Sequence, residues 1–201
     1  MPKIGMEPVR RKALIDATIG EVGRVGSLDV TVGQIAKRAG MSSGLAHHYF
    51  GGKEQIFLAA MREILTRFGA HVRAELEQAQ TPMQRLNGIV AASFHADNFA
   101  PEVVSAWLTF YVQAQKSPDA RRLLRIYARR LHSNLVFNLR PLSARADHIA
   151  QGMASIIDGF YLRHALQDGV PDRKAMQALV MEYLELQLAQ EARQSVPPGR
   201  G

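Results

Sequence analysis

Residues 31–50 carry the start and stop signals of two short helices that follow one another closely. Thr31 precedes Gln34 by three positions, the spacing at which each side chain can accept from the other residue's backbone amide at a helix start. Gly40 can adopt the left-handed conformation that ends this first helix, and Ser42 can cap the second. Two short helices joined by about three residues form a helix-turn-helix. The sequence therefore predicts a tight helical corner near its N-terminus.

Elsewhere the apolar residues recur at steps of three and four, which is the period of an amphipathic helix. Further helix starts are marked by capping residues, two of which are followed by proline at the first helical position. We find no segment with the alternating pattern of a strand. The predicted fold is all-α, with an N-terminal three-helix helix-turn-helix domain followed by a larger helical domain. Further helices are predicted at 10–25, 53–79, about 146–167 and 173–189. Helix starts are predicted at Thr81-Pro82, Ser117-Pro118 and Asp172.

Three glycines, Gly20, Gly23 and Gly26, fall near the end of the first predicted helix. A phosphate-binding glycine loop should follow a buried strand and open a helix, whereas these residues follow a helical pattern. We therefore interpret them as loosening the end of the helix, with Gly26 as its C-terminal cap.

The 201-residue chain has a formal net charge of +7 and a pI near 10.0, which favours a polyanionic partner such as nucleic acid. It contains no cysteine, which excludes disulfides, thiolate metal sites and cysteine nucleophiles. No apolar run reaches the roughly 18 residues that span a bilayer, and the start lacks the apolar core of a signal peptide. We expect a cytoplasmic protein with no membrane association and no cofactor.

The second helix of a helix-turn-helix enters the major groove, so its residues divide between those that pack inward and those that face DNA. Ala46 is small enough to pack inward. Hydroxyl and imidazole groups can hydrogen-bond to base edges, and a leucine can contact a thymine methyl group. The predicted base-facing residues are Ser43, Gly44, Leu45 and His48, and the predicted phosphate contacts are Thr31, His47, Tyr49 and Lys53, with Ser42 at the start of the same DNA-binding surface.

The adjacent pair His47 and His48 has other interpretations. Consecutive helical residues point about 100° apart, so the two rings cannot comfortably bind one metal ion, and no carboxylate lies at zinc-ligand spacing beside them. A catalytic histidine would need a nucleophile or carboxylate partner that the local sequence lacks. Two surface histidines without a role are the alternative to DNA contacts. No metal site and no catalytic residue is predicted.

The run TVGQIAKRAGMSSGLAHHYFGGKE at residues 31–54 closely resembles the signature of TetR-family transcriptional regulators. It matches the threonine, Ile-Ala, Ala-Gly, Ser-x-Gly, Tyr-Phe and Lys-Glu positions of that signature in register. His47 departs from the phosphate-contacting tyrosine that the family most often has there. The resemblance implies a repressor rather than an enzyme, with a DNA-binding domain at 1–52, an effector-binding and dimerisation domain at 53–190 and a flexible tail at 191–201.

The resemblance also implies a homodimer that binds double-stranded operator DNA. The last two long predicted helices, at about 146–167 and 173–189, would pack against their mates as a four-helix bundle. A symmetric dimer sets two reading helices one turn of DNA apart, about 34–36 Å, and predicts a palindromic operator.

Four segments narrow the resemblance to the BetI branch of the family, which comprises choline-responsive repressors of glycine betaine synthesis genes. They are MPKIGMEPVRRKALIDAT at the start, AWLTFY at 106–111, RRLHSNL at 129–135 and IIDGFYLRHAL at 156–166. The resemblance covers nearly the whole chain, although the final helix matches loosely. It implies a repressor of choline oxidation genes that choline or a related quaternary ammonium compound relieves.

A quaternary ammonium has no N–H to donate, so proteins hold it with aromatic faces, each contributing about 0.5–2 kcal/mol, and sometimes with a carboxylate. Aromatic residues at helical spacings and one carboxylate, Asp158, offer these parts. Aromatic stripes also fill cores, and Asp158 could equally pair with Arg163 or an N–H donor. The candidate effector-binding residues are Trp107, Phe110, Tyr111, Tyr127, Asp158 and Tyr161, with Phe94 and Phe160 in reserve.

The sequence leaves three alternative functions open. A TetR-type repressor could respond to a different small molecule, such as another cation or a lipophilic compound. A helical enzyme with a basic surface would need catalytic groups, and the chain has no cysteine and no glycine-rich phosphate loop after a strand. A purely structural dimerisation module would bind DNA without regard to its sequence.

Overall fold

The structure, a computed structural model, describes residues 5–167 and 169–194, and within these ranges it contains helices and no strand. The predicted all-α class is confirmed. The α-helices are α1 Met6–Val25, α2 Val32–Arg38, α3 Ser43–Phe50, α4 Lys53–Gln78, α5 Pro82–Ser93, α6 Pro101–Lys116, α7 Pro118–Leu139, α8 Ala146–Ala165 and α9 Arg173–Gln194, and a 3-10 helix at Ala96–Phe99 precedes α6. Over the described residues, no helix is both long enough and apolar enough to cross a bilayer.

The chain divides into two compact units. Unit 1 contains Met1–Arg67 and Asp97–Arg125, and unit 2 contains Phe68–Ala96 and Ile126–Gly201. Unit 1 therefore holds the three helices of the predicted helix-turn-helix domain together with α6. The domain boundary placed after residue 52 stays a prediction.

The helix ends around α2 and α3 follow the side-chain signals in the sequence. Thr31 Oγ1 accepts from the Gln34 amide at 3.1 Å, and the Gln34 side chain accepts from the Thr31 amide at 2.7 Å, which is the predicted capping box. Gly40 has a φ of 68°, in the left-handed region that favours glycine. The Ser42 hydroxyl accepts from the Leu45 amide at 3.3 Å and begins α3. These contacts confirm the predicted corner.

Three more predicted helix ends are confirmed. Thr81 forms a second capping box with Gln84 at the start of α5. Asp172 Oδ1 accepts from the Ala175 amide at 3.0 Å and caps α9. Gly26 ends α1 with a φ of 69°. Side-chain caps within three residues thus account for the two helix starts, and the left-handed backbone of a glycine accounts for the end of α1.

In unit 1, α1 packs against α6 and α2, and α2 packs against α3. Ile35, Ala36 and Ala46 are fully buried, and the inward position of Ala46 is the predicted one. Phe110 of α6 is also fully buried and meets Phe57 of α4 edge to face, with ring centroids 6.2 Å apart. Helices as short as α2 and α3 are unstable alone, so this burial, rather than helix propensity, holds them.

In unit 2, α9 packs against α8 and α5. Gly152 of α8 lies under the Tyr183 ring of α9, where an added methyl group would lie 2.6 Å from Tyr183 Cζ. A larger residue at position 152 would force the Tyr183 ring to move. The fully buried large side chains of this unit include Leu86, Ile89, Leu135, Leu139, Ile149, Met153, Ile157 and Leu184.

Helix α9 extends beyond the predicted end of the second domain at residue 190. It includes residues 191–194 of the predicted flexible tail. The remainder of that tail, residues 195–201, lies outside the residues that the structure describes.

Candidate DNA-binding surface and effector-binding residues

Helix α3 buries a small residue on one side and exposes polar residues on the other. Ala46 is fully buried against the helical corner. An added methyl group at Gly44 would meet nothing within 4 Å, so the surface beside this residue is open. Ser42, Ser43, Gly44, His47 and His48 are exposed, and Leu45 is half-buried. The helix therefore has the two faces that a reading helix needs, and its contacts with DNA stay a prediction.

The geometry of His47 decides which of its nitrogens can meet a phosphate. His47 Nδ1 lies 3.0 Å from the Gly51 carbonyl oxygen. A carbonyl oxygen only accepts, so this hydrogen bond needs the proton on Nδ1, and Nε2 of the neutral ring is then an acceptor. Because phosphate oxygens are also acceptors, a neutral His47 that keeps the Gly51 contact has no ring N–H left for a phosphate.

Arg11 anchors the C-terminal end of α3 to α1. Its Nη1 donates to the Tyr49 carbonyl oxygen at 2.6 Å, and its guanidinium carbon lies 4.4 Å from the centroid of the Phe50 ring. A cation at a helix C-terminus is favoured by the helix dipole. The ring of Tyr49 also contacts the ring of His48, with centroids 5.4 Å apart. The sequence analysis missed Arg11, although the basic run at residues 10–12 was a signal for it.

Two of the predicted phosphate contacts also have structural roles. Lys53 Nζ donates to the Leu28 carbonyl oxygen at 2.8 Å, which connects the start of α4 to the loop after α1. An ammonium group has three hydrogens, so this contact leaves donors for a phosphate. The Thr31 hydroxyl accepts from the Gln34 amide and still has its own hydrogen to donate.

A buried carboxylate joins α1 to the end of α2. Glu21 is 7% exposed and accepts from Arg24 at 2.6 Å and from Arg38, the last residue of α2, at 3.2 Å. The hydrogen bond from Arg24 lowers the pKa of Glu21; burial opposes this shift, and the charges of both arginines reinforce it. The sequence analysis missed the pair of Glu21 and Arg38, because a separation of 17 positions leaves no helical signature.

Three candidate effector residues lie on α6 in unit 1. Trp107 is 6% exposed, Phe110 is fully buried and Tyr111 is half-buried. The Trp107 ring centroid lies 5.5 Å from those of both Phe110 and Tyr111, at interplanar angles of 45° and 84°. Phe110 is committed to the core through Phe57. Tyr111 is thus the member of this group that is most exposed, and Trp107 lies between it and the buried Phe110 ring.

The other three candidates lie in unit 2. The Tyr161 hydroxyl donates to the Ser93 carbonyl oxygen, and Tyr127 meets Phe68 edge to face with centroids 5.7 Å apart. Both tyrosines are 8% exposed, so each has a place in the packing of this unit. Asp158 is half-buried on α8, one turn before Tyr161. The six candidates are thus divided between the two units, and their contact with an effector stays a prediction.

The reserve candidates Phe94 and Phe160 meet edge to face in unit 2, with ring centroids 5.7 Å apart. Phe160 also lines a groove of about 530 Å³ on α8 and α9, together with Arg163, Met176 and Leu179. Phe160 is therefore accessible from the surface of unit 2, whereas Phe94 is 2% exposed.

Both parts of the chain match known families. Residues 14–60 match the bacterial regulatory proteins of the tetR family, and residues 82–189 match the C-terminal domain of BetI-type transcriptional repressors. The HTH-type transcriptional regulator BetI of Brucella suis is 57% identical over 191 residues, which covers 94% of this chain and 96% of the relative.

Two solved structures share the fold. A protein from Pseudomonas aeruginosa PAO1 has a TM-score of 0.81 at 22% identity, covering 93% of this chain and 94% of its own. A protein from Saccharomonospora viridis, solved in complex with choline, has a TM-score of 0.78 at 20% identity, covering 87% of this chain and 95% of its own. These identities show the fold alone. The 57% identity with a BetI regulator extends over 94% of the chain and shows more than the fold. The chain belongs to the TetR family, and within it to the BetI-type transcriptional repressors, which are regulators and not enzymes.

Proposed function

We propose that this protein binds a palindromic operator as a homodimer and releases it when choline or a related quaternary ammonium compound binds. Its target genes encode the enzymes that oxidise choline to glycine betaine, and it acts in the cytoplasm. The observation that carries the proposal is the 57% identity with Brucella suis BetI over 94% of the chain, which includes both the reading helix and the C-terminal part.

The exposed face of α3 supports the DNA-binding part of the proposal. Ser43 and Gly44 are exposed in the first turn of α3 and His48 is exposed in its last turn, on the surface from which side chains can reach base edges. Lys53 has donors left for a phosphate, and the chain carries a net charge of +7. Each phosphate contact adds about −0.9 to the slope of log K, the logarithm of the association constant, against log salt concentration. Operator affinity should therefore depend steeply on salt.

Exposed apolar side chains on α8 and α9 support the homodimer. Leu162, Leu179 and Leu186 are 52%, 52% and 62% exposed. Apolar side chains grouped on a surface often mark an interface, because burying them removes apolar area from water. In a symmetric homodimer a two-fold axis relates the two copies of α3, so each copy can read one half of a palindromic operator.

The effector part of the proposal is supported by aromatic rings and a carboxylate, the groups that hold a quaternary ammonium. Trp107 and Tyr111 in unit 1 and Asp158 in unit 2 are our first candidates, each to be tested by itself. The other three are committed to packing contacts within their units.

Operator selection tests the proposal. The full chain is used to select binding sites from random DNA, and the selected sequence is compared with the DNA upstream of the choline oxidation genes. We expect a palindrome with half-sites about one helical turn apart, found upstream of those genes. Selection of DNA without a common sequence would contradict the reading role of α3 and favour a structural module.

The effector is identified on the selected operator. Choline, betaine aldehyde, other cations and lipophilic compounds are each added at millimolar concentration to the complex of protein and DNA. Release by choline or betaine aldehyde supports the proposal. Release by a lipophilic compound or an unrelated cation alone would assign the alternative function, a TetR-type repressor that responds to a different small molecule.

A further inference from the structure

Gly23 allows the backbone of α1 to touch the backbone of α6. An added methyl group at Gly23 would lie 2.5 Å from Glu102 Cα and 2.7 Å from the Glu102 carbonyl carbon, closer than real Cβ atoms approach other atoms. No side-chain rotation can make room, because the contacted atoms belong to the backbone. Glu102 lies in the first turn of α6, so a displacement of this turn acts directly on α1.

The same turn of α1 also contacts α2. An added methyl group at Gly20 would lie 2.6 Å from Arg38 Nη2, so the absent side chain leaves room for this guanidinium. Glu21 then accepts from Arg38 Nη1 at 3.2 Å. Arg38 ends α2, and α2 packs against the reading helix α3. The turn from Gly20 to Gly23 therefore connects α6 to the helix-turn-helix.

The C-terminal end of α6 has a side-chain contact with α4. Ser117 Oγ donates to Glu54 Oε1 at 2.9 Å, and Glu54 lies beside Lys53 in the first turn of α4. A single hydrogen bond between two side chains can follow a movement of α6 by a change of rotamer. The backbone contact at Gly23 cannot. Of these two connections, the one at Gly23 is the stiffer.

We infer that Gly23 is a positioning residue that couples α6 to the DNA reader through α1 and the pair of Glu21 and Arg38. The inference rests on the proposed function, because α6 carries Trp107 and Tyr111, two of the candidate effector residues. A movement of α6 on effector binding tilts α1 at Gly23, and α2 and α3 follow.

Hydrogen exchange tests the inference without an effector, since coupling between two sites acts in both directions. The Val103 and Val104 amides donate to the Ala100 carbonyl oxygen at 2.9 and 3.0 Å, so their exchange reports on the first turn of α6. We expect operator DNA to slow this exchange at least about threefold in the wild-type chain and less than about 1.5-fold in Gly23→Ala.

Gly69→Ala is the matched control. An added methyl group at Gly69 in α4 would lie 3.5 Å from Arg73 Nη1, which is an ordinary contact, so this variant should keep the wild-type protection. If Gly23→Ala does not fold, Glu21→Gln gives the same test, because it weakens the link to Arg38 and should lose the same protection. Wild-type protection in a folded Gly23→Ala or in Glu21→Gln would overturn the inference. So would a wild-type chain in which operator DNA leaves α6 exchange unchanged.

Operator titrations with and without choline separate a positioning role from a structural one. We expect choline to raise the operator dissociation constant about 5- to 150-fold in the wild-type chain and less than about twofold in Gly23→Ala. Choline binding without DNA should stay within about threefold of wild type. A structural role would weaken operator binding equally with and without choline, which contradicts the inference. A wild-type chain that ignores choline contradicts the proposed effector, and hydrogen exchange then decides on Gly23.

Discussion

The reading helix and the candidate effector residues differ in how they combine function with stability. On α3 the side chains that would meet DNA are exposed or half-buried, while Ala46 and the Ser42 cap hold the helix in place. On α6 and α8 the candidate residues are partly or wholly buried, and Phe110 and Tyr161 also belong to the packing. An exposed side chain of α3 can therefore change without affecting the fold, whereas most of the candidate effector residues cannot.

The largest effect is expected at Phe110. Phe110→Ala should lower the free energy of unfolding by about 3–5 kcal/mol, because it leaves a cavity at a fully buried site. Chemical denaturation of the full chain measures this change. His48→Ala is the comparison on α3, and it should change the free energy of unfolding by less than about 0.5 kcal/mol. Equal losses in the two variants would remove the distinction between the regions.

The second effect concerns sequence reading. His48→Ala should lower affinity for the operator by about 1–3 kcal/mol, roughly 5- to 150-fold, and should barely change affinity for random DNA. Anisotropy titrations on the two DNAs measure both values. Lys53→Ala is the control, because a phosphate contact supports every sequence alike and its loss reduces the salt slope by about one. A His48→Ala variant that loses affinity equally on both DNAs would make His48 a backbone contact.

The contacts around α2 and α3 also illustrate how much of the molecule could be predicted from sequence. The caps at Thr31 and Ser42 and the inward position of Ala46 depend on neighbours within a few residues, so the sequence pattern was sufficient. The pair of Glu21 and Arg38 and the contact of Gly23 with Glu102 join distant parts of the chain. Such contacts depend on how helices cross, which periodicity does not specify.

The glycines of α1 show most clearly which features could be predicted from sequence and which could not. Gly26 is the predicted C-terminal cap, and its φ of 69° confirms this. Gly20 and Gly23 were interpreted as loosening the helix, yet α1 continues through both to Val25, and the glycines make room for neighbouring atoms. A glycine in a helix has the same sequence signature in either role. The aromatic candidates pose the same problem, because packing and cation binding use the same side chains.

A smaller effect is expected at Tyr111 of α6. Tyr111→Leu should weaken choline binding by about 0.5–2 kcal/mol, roughly 2- to 30-fold, because it removes an aromatic face. Tyr111→Phe keeps the ring and should bind choline within about twofold of wild type. Isothermal titration of choline into the full chain measures both. If the two variants lose equal affinity, the hydroxyl rather than the ring face holds the ligand.

The smallest effect is a pH dependence at Glu21. Pairing with Arg24 and Arg38 lowers the folded-state pKa below the ordinary value of 4.5, so the stabilisation is complete above that value and is lost as pH falls through the lower folded-state pKa. Glu21→Gln cannot titrate. The difference in free energy of unfolding between wild type and Glu21→Gln should be constant near neutral pH and shrink below about pH 4.5. A difference that grows on acidification would have the wrong sign for this pairing.

The central claim is that one chain reads an operator with α3 and releases it in response to a quaternary ammonium compound. The most direct test is an anisotropy titration of the full chain on its selected operator, at fixed salt, with and without millimolar choline. We expect choline to raise the dissociation constant about 5- to 150-fold. A dissociation constant that is the same with and without choline would contradict the central claim.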